Sequence, residues 1–223
     1  MAPKGYDAFA QDFFAPIFPS YAQKIIDRTG VTTGKILDLG SGGGHLGFAL
    51  MDLGNFESVT FFDTQEKALD NARERAEALM YSSDACYYEQ GDACDLSRFE
   101  EGAFNLVVSR GSMHFWSDCE AALRGIHRIL APGGYCYIGG GVGVTNRQTD
   151  RMDAIMERMA NEYGVGHGGD PKIASEKRKN DRTRQCKEFA DLFHELNCSY
   201  ALINSKAEGG WFIFCKDDEL QVW

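Results

Sequence analysis

Cysteine pairs at metal-ligand spacing are missing from this sequence. Its seven cysteines, Cys86, Cys94, Cys119, Cys136, Cys186, Cys198 and Cys215, are odd in number, scattered, and form no C-x-x-C pair. They point to neither a disulfide framework nor a zinc site, and fit the reduced thiols of a cytoplasmic protein. Basic residues are also scarce, with 23 Lys and Arg against 33 Asp and Glu and a formal net charge of −10. Such a balance offers no broad basic face, which argues against nucleic acid or an anionic membrane as a partner. No stretch approaches the roughly 18 uninterrupted apolar residues of a membrane span. The opening MAPKGYDAFAQDFFAPIF lacks the charged start, apolar run and small-residue cleavage site of a secretory signal. What is present is ordinary globular composition: 223 residues, 43% hydrophobic and 25% charged. That length fits one domain, over 1–223, with a sizeable core.

From Lys35 onward, short apolar β-rich runs alternate with helical patterns, the sequence form of repeated βαβ units and a mostly parallel sheet. Strands are expected at Lys35 to Leu39, Ser58 to Phe62, Cys86 to Glu89, Phe104 to Ser109 and Tyr135 to Ile138, the last introduced by Pro132-Gly133-Gly134. Helices are expected from His45 to Leu53, stopped by Gly54, and from a Thr64 cap through Leu79, with Ala68, Ala72, Ala76 and Leu79 on one face. A further helix spans Asp118 to Leu130. After a helix over Thr183 to Leu196 come strands at Tyr200 to Asn204 and Trp211 to Cys215, separated by a short turn at Gly209-Gly210. So short a connection cannot cross over between parallel neighbours, so the pair is an antiparallel hairpin at the sheet edge. Two segments fall outside this scaffold: an aromatic N-terminal cap over 1–26 and a Gly-rich, charged, lid-like insertion over 139–182. Both are free to fold over the carboxyl ends of the strands, where doubly wound sheets bind ligands.

The strongest local signal is ILDLGSGGGHLG, in which Asp38, Gly40, Gly42 and Gly44 form D-x-G-x-G-x-G between a strand and a helix. Glycines let backbone approach a ligand, and the helix N-terminus offers N–H groups to a carboxylate. A plain tight turn is the competing reading. Asp38 would repel a pyrophosphate but attract an ammonium. In VTFFD, Asp63 ends the second strand about 20 residues past the glycine turn, where an acid can bind both ribose hydroxyls. A helix N-cap acid is the competing reading. In QGDAC, Gly91, Asp92 and Ala93 follow the third strand, and Asp92 can accept an adenine amine while Ala93 donates its N–H. The three carboxylates thus fall in chain order along one sheet edge.

At these residues the chain resembles a class I methyltransferase that binds S-adenosyl-L-methionine, over about Lys35 to Leu130. VVSRGSMHFW, HRILAPGGYCYIGGG and GGWFIFCK are more narrowly similar to small prokaryotic methyltransferases of unassigned substrate. The resemblance implies a Rossmann-like, seven-stranded, mostly parallel α/β sheet with helices on both faces and a C-terminal antiparallel hairpin. It also implies cofactor contacts at Gly40, Ser41, Gly42, Asp63, Thr64, Asp92, Ala93 and Ser109, with Gly91 beside them. Arg110 follows the fourth strand, where many relatives carry active-site groups. No N-P-P-Y motif is present there, which weighs against methylating a planar amide or base nitrogen.

Methyl transfer from a sulfonium is an in-line displacement in which alignment supplies much of the barrier reduction, and no metal is needed. A base helps only when the acceptor must lose a proton. His114 is the first candidate for that base, or else an aromatic lid residue beside Phe115 and Trp116. His167, in GVGHGGD, enters the site on closure or stays a solvated loop histidine. His45 begins the helix after the glycine turn, and His127 and His194 fall in helix patterns as surface or satisfied core groups. Tyr6, Phe13, Phe14, Phe18 and Tyr21 form an apolar cover over donor and acceptor, or simply pack a helix. Lys177, Arg178, Lys179, Arg182 and Arg184 attract an anionic acceptor or are a solvated loop. The expected acceptor is a small molecule. A protein or corrinoid-type acceptor, a cofactor-holding module without turnover, and a nicotinamide oxidoreductase are the rivals, the last opposed by Asp38, Asp92 and the terminal hairpin. The sequence leaves the oligomeric state open.

Overall fold

The computed structural model describes residues 7–8, 10–15, 17–140, 189–205 and 208–216. A short π-helical turn, Ala10–Phe14, leads into α1, Phe18–Thr29. Then β1 (Thr33–Leu39), α2 (His45–Leu53), β2 (Asn55–Asp63), α3 (Glu66–Ala78), β3 (Cys86–Gln90) and β4 (Phe104–Arg110) alternate as the pattern predicts. They are followed by α4 (Cys119–Ile129), β5 (Leu130–Gly140), a helical stretch over 189–195, β6 (Ser199–Ser205) and β7 (Gly209–Cys215). The seven strands form one sheet in the order β3-β2-β1-β4-β5-β7-β6. β1 to β5 are parallel, and β7 runs antiparallel to both β5 and β6. The chain order reverses between β1 and β4, which opens a crevice at their carboxyl ends.

Period-two alternation splits the buried residues into two cores. Ile36, Val59, Phe61, Leu106 and Val108 face α1 to α3. Leu37, Leu39, Phe62, Val107 and Ile138 face α4 and the 189–195 stretch, where Leu123, Ile126 and Phe193 are fully buried. Truncating any one of these to alanine costs about 2–5 kcal/mol. The aromatic N-terminal segment belongs to the first core, because Phe14, Ile17, Phe18, Tyr21 and Ile25 are buried in it.

Several boundaries differ from the sequence reading. Gln65, not Thr64, precedes α3 as its cap residue and makes no side-chain cap bond, while the buried stripe is Leu69, Ala72 and Ala76 with Leu79 46% exposed. β5 starts directly after α4: Leu130 pairs with Phe104, and the Pro-Gly-Gly stretch is an irregularity inside the strand. It is held there by Gly133 N–H to Lys216 O and Lys216 N–H to Gly134 O. The terminal hairpin lies at the sheet edge as expected, with β7 between β5 and β6. From residue 141 on, the expected lid over 139–182 lies outside the described residues, as do Tyr6, His167, Lys177, Arg178, Lys179, Arg182, Arg184 and Cys186, together with the Phe13 side chain.

Candidate active site at the β1/β4 crevice

Asp38 sits next to last in β1 on the face toward α2, because Ile36 and Asp38 share that side of the pleat. It is only 2% exposed. Its Oδ2 accepts the N–H of Gly47 at 3.0 Å. Burial pushes the carboxyl up to about 7; the Gly47 donor opposes the rise and the Asp63 charge adds to it. Its other oxygen has no hydrogen-bond partner among the described residues. A buried carboxyl in this state gains from a cation.

The glycine turn is laced to the end of β2. Gly40 and Ser41 N–H groups donate to Phe62 O at 2.7 and 3.2 Å. Gly42 N–H donates to Asp63 Oδ2 at 2.9 Å, while Asp63 Oδ1 accepts the Gln65 N–H at 3.0 Å. Each carboxylate oxygen keeps a second lone pair. At Gly40, φ is +63° and a Cβ would lie 2.3 Å from Ser112 Cβ, so only glycine fits. Gly44, at φ +79°, caps α2 without a side-chain bond.

Further along the edge, Gly91 N–H donates to Asp63 O at 3.0 Å. Asp92 is exposed and folds into its own turn, Oδ1 accepting the Cys94 N–H at 2.9 Å, with Ala93 buried behind it. Thr64 is exposed, its carbonyl accepting from Gln90 Nε2 at 2.9 Å. Ser109 is fully buried and 2.6 Å from Ser112 Oγ. Ser112, which the sequence reading missed, also donates to Leu39 O at 3.2 Å and accepts from Trp116 Nε1 at 3.1 Å. It ties the loop after β4 to the end of β1; the serine spacing in SRGS is its only sequence signal.

A narrow cleft of about 30 Å³ lies here, lined by Asp38, Gly40, Ser41, Gly42, His45 and Arg110 with apolar walls from Ala10, Phe18 and Leu46. The structure therefore brings Asp38, the glycine turn and Arg110 together. Asp63 borders the turn through Gly42, and Gly91, Asp92, Ala93 and Ser109 lie at neighbouring strand ends. His114 stays out of the cleft: it is exposed in the 3₁₀ turn Met113–Phe115, its ring 4.4 Å from that of Phe115.

His45 and the N-terminal segment were not foreseen as neighbours. The His45 ring stacks on Phe18 at 5.0 Å, and its Nε2 is 3.3 Å from Asp7 Oδ1. Arg75 reaches Asp7 Oδ2 at 3.5 Å and donates to Gly43 O. Burial pushes the Asp7 carboxyl up, but the His45 contact and the Arg75 charge outweigh it and hold it below its usual value. A carboxylate pair at the ends of β1 and β2, a tight turn and a helix N-terminus form a donor set suited to a ligand with an ammonium, a sugar diol and a carboxylate.

Residues 37–138 match the family model described as a methyltransferase domain. Across 97% of this chain and 92% of the other, the fold is similar, at 31% identity and a TM-score of 0.77, to a Methanococcus maripaludis protein described as a candidate S-adenosyl-L-methionine-dependent methyltransferase. The uncharacterised protein YafE of Escherichia coli is 40% identical over 80 residues, 36% of this chain and 37% of that protein. A ubiquinone biosynthesis O-methyltransferase of Pseudomonas aeruginosa is 31% identical over 122 residues, 55% of this chain and 50% of that enzyme. The chain thus spans half or less of these two curated relatives.

Proposed function

The chain belongs to the S-adenosyl-L-methionine-dependent methyltransferase family, and from that premise we propose that it transfers the methyl group to a small-molecule acceptor by in-line displacement. The observation that carries the reading is the buried Asp38 carboxyl in the wall of the crevice, raised to about 7 and in need of a cation. S-adenosyl-L-methionine, when bound, supplies an ammonium for that carboxylate and an electrophilic methyl on a sulfonium. In our reading Asp63 holds the ribose hydroxyls, Asp92 and Ala93 meet the adenine edge, and Gly40, Ser41 and Gly42 let backbone close on the methionyl part. Thr64, Gly91 and Ser109 complete that contact line. Arg110 stands on the acceptor side. His114 acts as a lid wall beside Phe115 and reaches the acceptor only if the 3₁₀ turn swings inward.

The chain is read as one methyltransferase domain over 1–223 with the segment 139–182 as its lid. Support for a small acceptor comes from the net charge of −10 and from the similarity to a ubiquinone biosynthesis O-methyltransferase. Among the described residues no helix is long and apolar enough to cross a membrane. The test is incubation with methyl-labelled S-adenosyl-L-methionine and a low-molecular-mass cell extract, followed by mass spectrometry. A labelled low-mass product is expected. Label appearing only on polypeptide, or on nothing, contradicts the proposal.

A further inference from the structure

The cleft beside Asp38 is too small for the methionyl chain proposed to enter it. Its volume of about 30 Å³ holds roughly two ordered waters, against about 300 Å³ or more for a site that encloses a small ligand. The N-terminal segment is what narrows it. Two of its walls are Ala10, from the π-helical turn, and Phe18, at the start of α1.

That segment is fastened at two places. Downstream, the Phe14, Phe18 and Tyr21 rings lie 4.3, 5.1 and 5.2 Å from the guanidinium carbon of Arg110, the last residue of β4. Upstream, Asp7 Oδ1 stands 3.3 Å from His45 Nε2 and Asp7 Oδ2 stands 3.5 Å from Arg75 Nη2, while Arg75 Nη1 donates to Gly43 O. A Cβ at Gly43 would overlap both Asp7 Oδ1 and the Arg75 guanidinium, so a glycine there lets the carboxylate and the turn close on each other.

The two fastenings differ in kind. α1 is anchored by Phe18, Tyr21, Ala22 and Ile25, all buried in the first core. Ahead of it, the π-helical turn buries Ala10 and Phe14 but exposes Gln11 and Asp12, so little apolar area holds it down and the Asp7 contacts are a large share of its attachment. Those contacts attract, since they hold the Asp7 carboxyl below its usual value in spite of burial. They are also readily given up: Asp7 Oδ1 and His45 Nε2 are buried and close, yet neither is in an aligned hydrogen bond.

We infer that Asp7, His45 and Arg75 are the latch of a gate over the cofactor cleft, and that the turn Ala10–Phe14 lifts away before the methionyl chain of the cofactor reaches Asp38. The inference rests on the cofactor site proposed above. With the latch closed the cleft has no room, so latch and cofactor compete, and the apparent affinity is the intrinsic one reduced by the fraction of open molecules. A latch that clamped bound cofactor would act in the opposite sense, because its removal would loosen binding.

The test titrates S-adenosylhomocysteine calorimetrically into wild type, Asp7→Asn, Arg75→Met and the double variant, and follows amide hydrogen exchange over Ala10–Phe14 without ligand. Asp7→Asn is expected to bind S-adenosylhomocysteine about three- to ten-fold more tightly, with faster exchange in the turn. Arg75→Met should act in the same direction, and the double variant should exceed the stronger single one by less than about two-fold, because both remove one latch. Asp7→Asn, which keeps the size of its side chain, decides the matter if the Arg75 variant does not fold. Faster exchange with unchanged or weaker affinity overturns the inference, because the latch then does not oppose the cofactor. Exchange and affinity both indifferent to Asp7→Asn overturn it as well. Exchange that quickens while neither wild type nor Asp7→Asn binds S-adenosylhomocysteine refutes instead the cofactor site beneath it.

Discussion

Asp38→Asn separates two demands on one carboxyl group. The folded protein raises its pKa from 3.8 to about 7. Each unit is worth about 1.4 kcal/mol, so the ionised group costs the apo-protein at most about 4 kcal/mol, and about 2–3 kcal/mol after relaxation of the surroundings. The sign follows from the direction. A raised folded pKa means stability that is fully present below the unfolded value of 3.8 and is lost as pH rises through about 7. Asparagine does not titrate, and its carbonyl can still accept from Gly47 N–H. The variant should therefore match wild type near pH 4 and melt about 4–10 °C higher at pH 8. It should bind S-adenosyl-L-methionine about 10- to 100-fold more weakly, having lost a charge-assisted contact. Scanning calorimetry across pH reads the first effect and titration calorimetry the second. A melting difference that is flat with pH refutes the burial argument, and unchanged cofactor affinity refutes the ammonium assignment.

Other perturbations test other parts of the site. His114→Phe should retain most turnover while His114→Ala loses alignment; a Phe variant as inactive as Ala, with the rise in rate near pH 6–7 abolished, would instead make the imidazole a base. Gly40→Ala forces a Cβ at φ +63° to within 2.3 Å of Ser112 Cβ, and should cost about 2–4 kcal/mol in denaturant unfolding and weaken cofactor binding. Activity should survive exhaustive chelation, and recovery by one divalent ion after loss to EDTA would reveal a metal site.

The alternation of β-rich runs and helical patterns was legible because parallel strands buried on both faces read as continuous apolar stretches, VTFFD and FNLVVS among them. Asp38, Asp63 and the glycine turn were legible because strand ends and a tight turn impose fixed spacings. The insertion of β7 between β5 and β6 was not, since a hairpin reveals its own pairing but not which of its strands meets the sheet. Nor was the setting of Arg110. Phe14, Phe18 and Tyr21 approach it from about 90 residues away, and such a contact leaves no periodicity in the chain. The Asp7, His45 and Arg75 contacts over Gly43 escaped for the same reason. Thr64 was misread as the helix cap because the helix begins one residue later, at Glu66, with Gln65 in the cap position.

The most direct test of the central claim is titration calorimetry of S-adenosylhomocysteine into wild type and Asp63→Ala. Asp63 is 9% exposed and accepts the Gly42 N–H of the glycine turn and the Gln65 N–H ahead of α3. The account predicts one equivalent bound per wild-type chain, and an affinity about 10- to 100-fold lower in the variant from the loss of about 1.5–3 kcal/mol of charge-assisted bonding. Equal affinity in both proteins, or binding of a nicotinamide dinucleotide in its place, would contradict it.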